Sequence, residues 1–185
     1  MPFTETGFPG LLVFEPKVFE DSRGYFFESY NAQTCNQAGI DIVFVQDNQA
    51  QSSYGVIRGL HYQLAPYAQT KFIRVLSGAI LDVVLDLRIG SPSYGKIFCI
   101  ELSAHNKKQL LVPKGFAHGY SVLSDKAEVF YKCDTFYHKE SEAGLQYNDP
   151  ALNIDWQIPA GKEIIYEKDR HHPTFADCKN NFQFL

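Results

Sequence analysis

Alternating apolar and polar residues mark the central part of the chain as β-strands. The clearest alternation covers residues 79–88, where every second residue is apolar and Asp82 and Asp86 occupy polar positions. Successive side chains point to opposite faces of a strand, so one face should lie in the core and the other should be polar or line a site. Residues 71–76 precede this strand across Ser77-Gly78, which predicts a hairpin turn.

Further strands are predicted where β-branched and aromatic residues lie between turn residues, at 96–102, 109–112, 119–123 and 128–137. One helix has clear signals, because Asn31 is a good N-cap and Gly39 ends the segment after about two turns. The 15 Phe and 11 Tyr residues also favour strands. The pattern predicts an all-β sandwich or barrel with a few short peripheral helices.

The length of 185 residues suits a single domain, residues 1–185, with one buried core. Within it, residues 1–50 should supply N-terminal strands and the short helix, and residues 51–137 the barrel. Residues 138–185 mix Pro, Gly and charge, and should pack against the barrel as loops and short helices.

Charge, hydropathy and cysteine spacing argue against several classes of protein. A net charge of -4 argues against a broad nucleic-acid footprint. No apolar run is long enough to span a bilayer, and the N-terminus lacks the features of a signal peptide, so we expect a soluble cytoplasmic protein. The four cysteines lie far apart without a C-x-x-C pair, which favours reduced thiols.

His61 is the first candidate for chemistry, and it lies inside a strand-like run with Arg58 three residues before it. Taken alone, a half-buried histidine of this kind is more often structural than functional. An odd spacing places two residues on opposite faces of a regular strand. Arg58 and His61 can therefore serve one site only if the chain bulges between them, and Gly59 is the natural position.

His118 follows a proline and glycine turn, in a segment that resembles the second cupin motif, P-x-G-x-x-H. The first cupin motif would offer two histidines and a glutamate, whereas the corresponding region here has His61 and then Lys71. One histidine and a positive lysine leave too few ligands for a divalent ion. We therefore expect a cupin-like jelly-roll barrel without a metal.

Seven motifs in order make the resemblance specific. The chain is similar to the dTDP-4-dehydrorhamnose 3,5-epimerase family over nearly its whole length. The motifs are F-x-D-x-R-G-x-F-x-E at 19–28, V-Q-D-N at 45–48, G-V-I-R-G-L-H-Y-Q at 55–63, D-V-V-L-D-L-R at 82–88, P-x-G-F-A-H-G at 113–119, Y-K at 131–132 and Y-N-D-P at 147–150.

The resemblance implies a cofactor-free isomerase that inverts carbons 3 and 5 of dTDP-4-dehydro-6-deoxy-D-glucose, giving dTDP-4-dehydro-L-rhamnose for deoxysugar biosynthesis. Both carbons flank a ketone, so their protons are acidic, and inversion needs a base on one face and an acid on the other. The family implies His61 as the base, oriented by Asp169, and Tyr131 as the acid. Lys71 would stabilise the enolate oxygen, with Arg58 and His118 close by.

For the rest of the substrate, the resemblance implies that Arg23 and Lys168 bind the diphosphate and that Tyr137 stacks on the thymine. The remaining positions would surround the base and sugars, and they are Glu28, Gln46, Asp47, Asn48 and Glu142. Members of this family are usually homodimers, so residues 19–28 should reach the partner's site.

Each role has a structural alternative. Tyr131 could be a core aromatic residue, Lys71 a solvated lysine at a strand edge, and Asp169 part of a solvated charged loop. Three other functions also stay open: a single-centre epimerase acting on carbon 3 or 5 of another dTDP-4-keto-6-deoxysugar, a metal-dependent cupin enzyme, and a sugar-nucleotide-binding module without catalysis.

Overall fold

The computed structural model describes residues 2–184, and their regular secondary structure is mainly β-strand. The strands, in chain order, are β1 Phe3–Glu5, β2 Leu12–Phe14, β3 Phe19–Asp21, β4 Gly24–Phe26, β5 Gln46–Ser53, β6 Val56–Gln63, β7 Lys71–Ser77, β8 Ala79–Asp86, β9 Ile97–Ser103, β10 Gln109–Val112, β11 Phe116–Val122, β12 Lys126–Cys133, β13 Glu142–Gly144 and β14 Ile164–Ile165. The helical segments are α1 Ala32–Gln37 and two short 3-10 helices, Lys139–Ser141 and Glu167–His171.

Two sheets face each other and enclose the core. Sheet I has the strand order β1-β2-β10-β7-β12-β5, and sheet II has the order β13-β6-β11-β8-β9. Every pairing within these two orders is antiparallel, and β14 adds to β6 in parallel. Strands β3 and β4 form a separate hairpin. This architecture confirms the predicted all-β, jelly-roll and cupin-like fold.

Three apolar clusters hold the layers together. The inner cluster joins the facing sides of the sheets, for example Ile73 of sheet I with Val84 and Val122 of sheet II. A second cluster covers the outer side of sheet II with residues from the C-terminal part of the chain, among them Trp156. A third lies on sheet I under α1, where Cys35 is buried. Both sheets are therefore covered on two sides over much of their area.

The alternating residues of β8 face two different layers of the structure. Its regular apolar face, which includes Leu81 and Val83, packs into the second cluster under the C-terminal part of the chain. Its other face points between the sheets, and there Asp82 and Asp86 are fully buried. The face predicted as polar or site-lining is therefore an interior face whose carboxylates have buried partners.

Most predicted elements are present, with two corrections. The Ser77-Gly78 hairpin was wrong, because β7 belongs to sheet I and β8 to sheet II. Gly78 instead turns the chain between sheets at φ +76, and a Cβ there would lie 2.0 Å from the Lys126 carbonyl oxygen. The strand predicted to reach Tyr137 ends at Cys133.

The predicted helix is confirmed, since Asn31 caps α1 by accepting hydrogen bonds from two backbone N–H groups of its first turn. Within residues 2–184, no helix combines the length and the apolar character needed to cross a membrane.

Candidate active site

One cavity opens between the two sheets, and most of the candidate residues line it. Its volume is about 710 Å³, within the usual range for a small-molecule site. Nine sequence-predicted residues lie on its walls: Arg58, His61, Lys71, His118, Tyr131, Tyr137, Glu142, Lys168 and Asp169. They come from both sheets and from the C-terminal segment, so the fold brings together groups that lie far apart in the sequence.

The bulge predicted at Gly59 is confirmed by the pairing of β6 with β11. His61 lies opposite His118 and Arg58 lies opposite Tyr120, so three steps along β6 match two along β11. Gly59 has φ +126, and a Cβ there would come within 2.5 Å of the Gly119 Cα. A side chain at this position would therefore collide with the backbone of the neighbouring strand.

The bulge also changes which side of β6 each residue faces. Ile57, before the glycine, and Leu60, after it, both pack into the second cluster although they lie three residues apart. Arg58 and His61 consequently share the opposite side and both line the cavity. The odd spacing of these two residues thus becomes compatible with one site.

His61 makes a hydrogen bond with Asp169, and 2.8 Å separates its Nε2 from the carboxylate Oδ1. The pairing of β14 with β6 brings the 3-10 helix Glu167–His171 to this point, and Asp169 is only 3% exposed there. Burial by itself would raise the Asp169 pKa, but the hydrogen bond and charge of His61 outweigh it, so the pKa lies below its usual value. Asp169 therefore carries a fixed negative charge behind the ring.

His118 makes a second histidine–carboxylate pair, deeper in the barrel. Its Nε2 lies 2.9 Å from Oδ2 of Asp82, and both side chains are buried. Burial lowers the pKa of His118, and the carboxylate of Asp82 only partly opposes this. The parity of Asp82 on β8 predicted a face that is polar or lines a site, but its partner His118 follows only from the pairing of β8 with β11.

Sheet I supplies the opposite wall with Tyr131 of β12 and Lys71 of β7. The Lys71 Nζ lies 5.8 Å from the centre of the Tyr131 ring. Burial raises the pKa of the Tyr131 phenol to about 12, so it stays protonated at neutral pH. Burial lowers the pKa of Lys71, although nearby acidic groups raise it in part.

A polar network lies at the mouth of the cavity. Glu142 accepts hydrogen bonds from Lys168 Nζ and from the Tyr137 hydroxyl, the latter at 3.2 Å. The Tyr137 ring is more than half exposed, and Tyr166 beside it is 72% exposed. Two aromatic faces and one cation therefore stand where a ligand would enter.

Five predicted residues lie outside these walls. Gln46 accepts a hydrogen bond from the Tyr137 backbone at 3.0 Å and donates one to Asn48, so both border the mouth. Asp47 instead pairs with Lys132. The other two predicted residues belong to the β3–β4 region: Arg23 is paired with Asp21 and highly exposed, and Glu28 accepts hydrogen bonds from Asn31.

Sequence reasoning missed three residues of the site: Tyr166 at the mouth, Tyr120 and His172. Tyr120 lines the cavity, and its buried hydroxyl has no hydrogen-bond partner among residues 2–184. Its signal was available, since Tyr120 shares the parity of His118 two residues earlier on β11. His172 lies with its ring centre 5.6 Å from that of His61. Only the pair His171-His172 hinted at it, and that pair does not say which histidine faces inward.

The structure also shows which groups could hold a metal. The cupin-motif positions offer His61 and His118, with the Lys71 ammonium on the opposite wall, a set that suits a divalent ion poorly. A different trio, His61, Asp169 and His172, places one donor atom from each residue within 4.8 Å of the others.

Fold and site together define a jelly-roll barrel of the cupin type, with histidine–carboxylate pairs facing a tyrosine and a lysine across one cavity. Comparison with known proteins narrows the class. The chain belongs to the dTDP-4-dehydrorhamnose 3,5-epimerase family, whose sequence pattern matches residues 5–177.

Individual relatives agree with this assignment. The dTDP-4-dehydrorhamnose 3,5-epimerase of Shigella flexneri is 47% identical over 179 residues, 96% of this chain and 98% of the relative. The crystal structure of the Elizabethkingia anophelis epimerase is 49% identical, with a TM-score of 0.91 over 97% of this chain and 98% of that one. A Legionella pneumophila 3,5-epimerase, solved in complex with dTDP-4-keto-L-rhamnose, is 43% identical, with a TM-score of 0.88 over 93% and 91%.

Proposed function

We propose that this protein inverts carbons 3 and 5 of dTDP-4-dehydro-6-deoxy-D-glucose to give dTDP-4-dehydro-L-rhamnose. One observation carries the proposal: His61, paired with Asp169, lies on sheet II, and the tyrosine and lysine lie on sheet I, with one cavity between them. A sugar held there has a base on one face and an acid on the other, which inversion requires.

His61 is the base that removes the proton next to the 4-ketone. The carboxylate of Asp169 holds the ring and stabilises the imidazolium that forms when the proton arrives. The His61 side chain is one-third exposed at the cavity wall, whereas that of Asp169 is only 4% exposed, so the ring is the more accessible of the two to a ligand.

Tyr131 is the acid that returns a proton from the opposite face. Its pKa of about 12 keeps the phenol protonated, so each turnover begins with a proton available. The Tyr131 side chain lines the cavity, on the wall opposite His61.

Lys71 stabilises the negative charge that develops on the ketone oxygen. It lies on the same wall as Tyr131, with His118 across the cavity. Such positive or donating groups supply the part of the rate enhancement that proton transfer, worth about 10²–10⁴-fold, leaves unexplained.

The nucleotide binds at the mouth. Lys168 meets the diphosphate after exchanging its contact with Glu142, and Tyr137 offers its exposed face to the thymine. Gln46, Asp47, Asn48 and Glu142 surround the base and sugars.

A homodimer completes the nucleotide site. The β3–β4 hairpin exposes Phe19, Tyr25 and Phe26, each more than half accessible, and between them the guanidinium of Arg23. Exposed apolar residues next to a charged group suit a protein interface. In the dimer, Arg23 reaches the diphosphate in the partner's cavity, and Glu28 the partner's nucleotide.

Mixing two inactive variants tests this arrangement. Arg23→Ala and His61→Asn chains are unfolded and refolded together, and activity is measured in the mixture. If Arg23 acts across the interface, each mixed dimer has one intact site, and because about half of the dimers in an equimolar mixture are mixed, the mixture recovers up to about one quarter of the wild-type rate. No recovery, or a monomer by light scattering with full activity, would remove the dimer from the proposal.

We also propose a cytoplasmic location. Cys35, Cys99, Cys133 and Cys178 are all free thiols, as expected in a reducing compartment.

The decisive experiment incubates the protein with dTDP-4-dehydro-6-deoxy-D-glucose in deuterium oxide, then reduces the product with a coupling reductase and analyses it by NMR. The proposal expects deuterium and inversion at both carbon 3 and carbon 5. Inversion at one carbon alone would identify a single-centre epimerase instead, and the absence of label at both would overturn the function.

A further inference from the structure

The trio His61, Asp169 and His172 has the composition of a transition-metal site. It combines two imidazoles and one carboxylate, and its donor atoms all lie within 4.8 Å of one another. Nitrogen ligands of histidine with one carboxylate suit zinc and neighbouring divalent transition metals. The cupin motifs predicted no metal at His61, His118 and Lys71. The trio described here shares only His61 with that set.

The position of His172 is built into the surrounding chain. Its ring packs against Gly144 of β13, where an added Cβ would lie 2.5 Å from the histidine Nε2. Gly144 pairs with His61 in the sheet. The absence of a side chain at residue 144 therefore leaves the space in which the second imidazole stands beside the first.

The His172 nitrogen near His61 and Asp169 lacks a hydrogen-bond partner among the described residues. Nε2 is buried, makes no hydrogen bond within residues 2–184, and lies 3.5 Å from Oδ1 of Asp169 without satisfying hydrogen-bond geometry. Only 12% of the side chain is exposed. A buried polar atom of this kind is costly and calls for an explanation, and a bound cation would satisfy it.

The spacing of the donors fits a small cation after minor adjustment. Zinc bonds of about 2.0–2.1 Å in a tetrahedron separate the ligand atoms by roughly 3.4 Å. The Asp169 oxygen lies 2.8 Å from the His61 nitrogen and 3.5 Å from the His172 nitrogen. His61 and Asp169 both line the cavity, so water can approach the cation from the cavity as the fourth ligand.

We infer that His61, Asp169 and His172 form a binding site for Zn²⁺ or a similar divalent transition metal, and that occupation of this site inhibits the enzyme. The cation takes the place of the hydrogen that joins the neutral His61 ring to Asp169, and that proton moves to Nδ1, which then has no lone pair with which to accept a proton from the substrate. Mg²⁺ prefers oxygen ligands and water, so it should not compete. The inhibition rests on the proposed role of His61 as the base, whereas the binding does not.

Binding is measured first, without reference to activity. Protein freed of metal by a chelator is titrated with Zn²⁺ by calorimetry and with Co²⁺ by visible absorption. We expect one equivalent to bind. His172→Asn should weaken the affinity by at least about 100-fold, since loss of even an outer-shell partner costs about 10–100-fold.

Two further variants keep the test sharp. His171→Asn is the matched control, because this neighbouring side chain is 74% exposed and contacts Glu167 rather than the trio. Its affinity should match the wild type. Gly144→Ala should weaken binding by displacing the ring of His172 even if His172→Asn folds poorly. Equal affinity in His172→Asn, or cobalt–thiolate absorption indicating the exposed Cys99, would overturn the site.

Inhibition is measured second. The initial epimerase rate should fall in proportion to the occupancy seen by calorimetry and recover when chelator is added, and His172→Asn should lose this sensitivity relative to its own metal-free rate. Stoichiometric binding with an unchanged rate would overturn the inhibition. An enzyme inactive in every condition would overturn the proposed function instead, while the binding data would still decide the site.

Discussion

The two walls of the cavity hold their catalytic groups in different ways. On sheet II, His61 is tied to a carboxylate that lies 108 residues further along the chain. On sheet I, Tyr131 and Lys71 stand on β12 and β7, two paired strands, where Lys71 lies opposite Cys133, two residues after Tyr131. The base is held by long-range docking of a separate segment, and the acid by regular strand pairing.

The difference follows from what each group must do. A base must accept a proton and carry positive charge for part of the cycle, so a fixed anion behind it stabilises that state. A tyrosine acid must only stay protonated until it is needed, and burial among strand side chains provides this by raising its pKa. The walls should therefore respond differently to substitution.

The largest effect should be on the two proton transfers, which substitutions of His61 and Tyr131 should affect separately. His61→Asn should lower both solvent exchange and inversion by about 10²–10⁴-fold. Tyr131→Phe should keep exchange of the substrate proton with deuterium oxide, because the base still works, but should lose inversion by a similar factor. NMR of the substrate and product measures both rates, with His171→Asn as the control. Equal loss of exchange in both variants would contradict the assignment of base and acid to opposite walls.

The next largest effect should be on stability, at the backbone of sheet II close to His61. Gly59→Ala should lower the free energy of unfolding by about 3 kcal/mol, because left-handed strain adds to a collision with the β11 backbone. Gly24 is the matched control, since it has the same φ of +126 but nothing within 4 Å of an added Cβ.

Gly24→Ala should lower the free energy of unfolding by only about 1 kcal/mol. Chemical denaturation of both variants gives the comparison. Similar losses would show that the close approach of β6 and β11 contributes little.

A smaller effect should follow loss of the carboxylate behind the base. Asp169→Asn should lower kcat by roughly 10²-fold, since the ring loses both its orientation and its counter-charge while remaining able to accept a proton. KM should change little, because Asp169 is buried behind His61. A raised KM with kcat unchanged would place Asp169 in substrate binding instead.

The smallest effect should be a shift in the pH dependence of the epimerase rate when Lys71 on sheet I is replaced. Burial lowers the pKa of Lys71 below its ordinary 10.5, so its positive charge is lost at a lower pH than that of a free lysine. The rate should therefore fall on the alkaline side before pH 10.5. Lys71→Arg keeps its charge and should move this decline upward. If the alkaline decline is unchanged in Lys71→Arg, Lys71 does not cause it. Tyr131 would not cause it either, because its pKa is about 12, so the decline would come from the titration of a third group.

Local sequence patterns predicted the parts of the fold that local physics decides. Asn31 caps its helix because its side chain reaches the nearby backbone, and Gly59 marks a bulge because of the odd spacing between Arg58 and His61. The Ser77-Gly78 turn was misassigned because a glycine turn looks the same within one sheet and between two. Strand β5 was missed because its sequence is mostly polar, and only pairing with β12 makes it a strand.

The site shows the same division. The family resemblance named nine of the residues that line the cavity. Asp169 is buried although it belongs to a run of charged residues typical of a solvated loop. His172 depends on the space left by Gly144, a contact between segments that no periodicity records.

The distance in sequence between His61 and Asp169 has a consequence for synthesis of the protein. The strands of both sheets up to β12 are complete by Cys133, whereas the carboxylate that orients the base follows only at Asp169. A growing chain can therefore bury much of its barrel before the base acquires its partner. The carboxylate that orients His61 is made after these strands, so release of the chain before residue 169 yields a barrel without an oriented base.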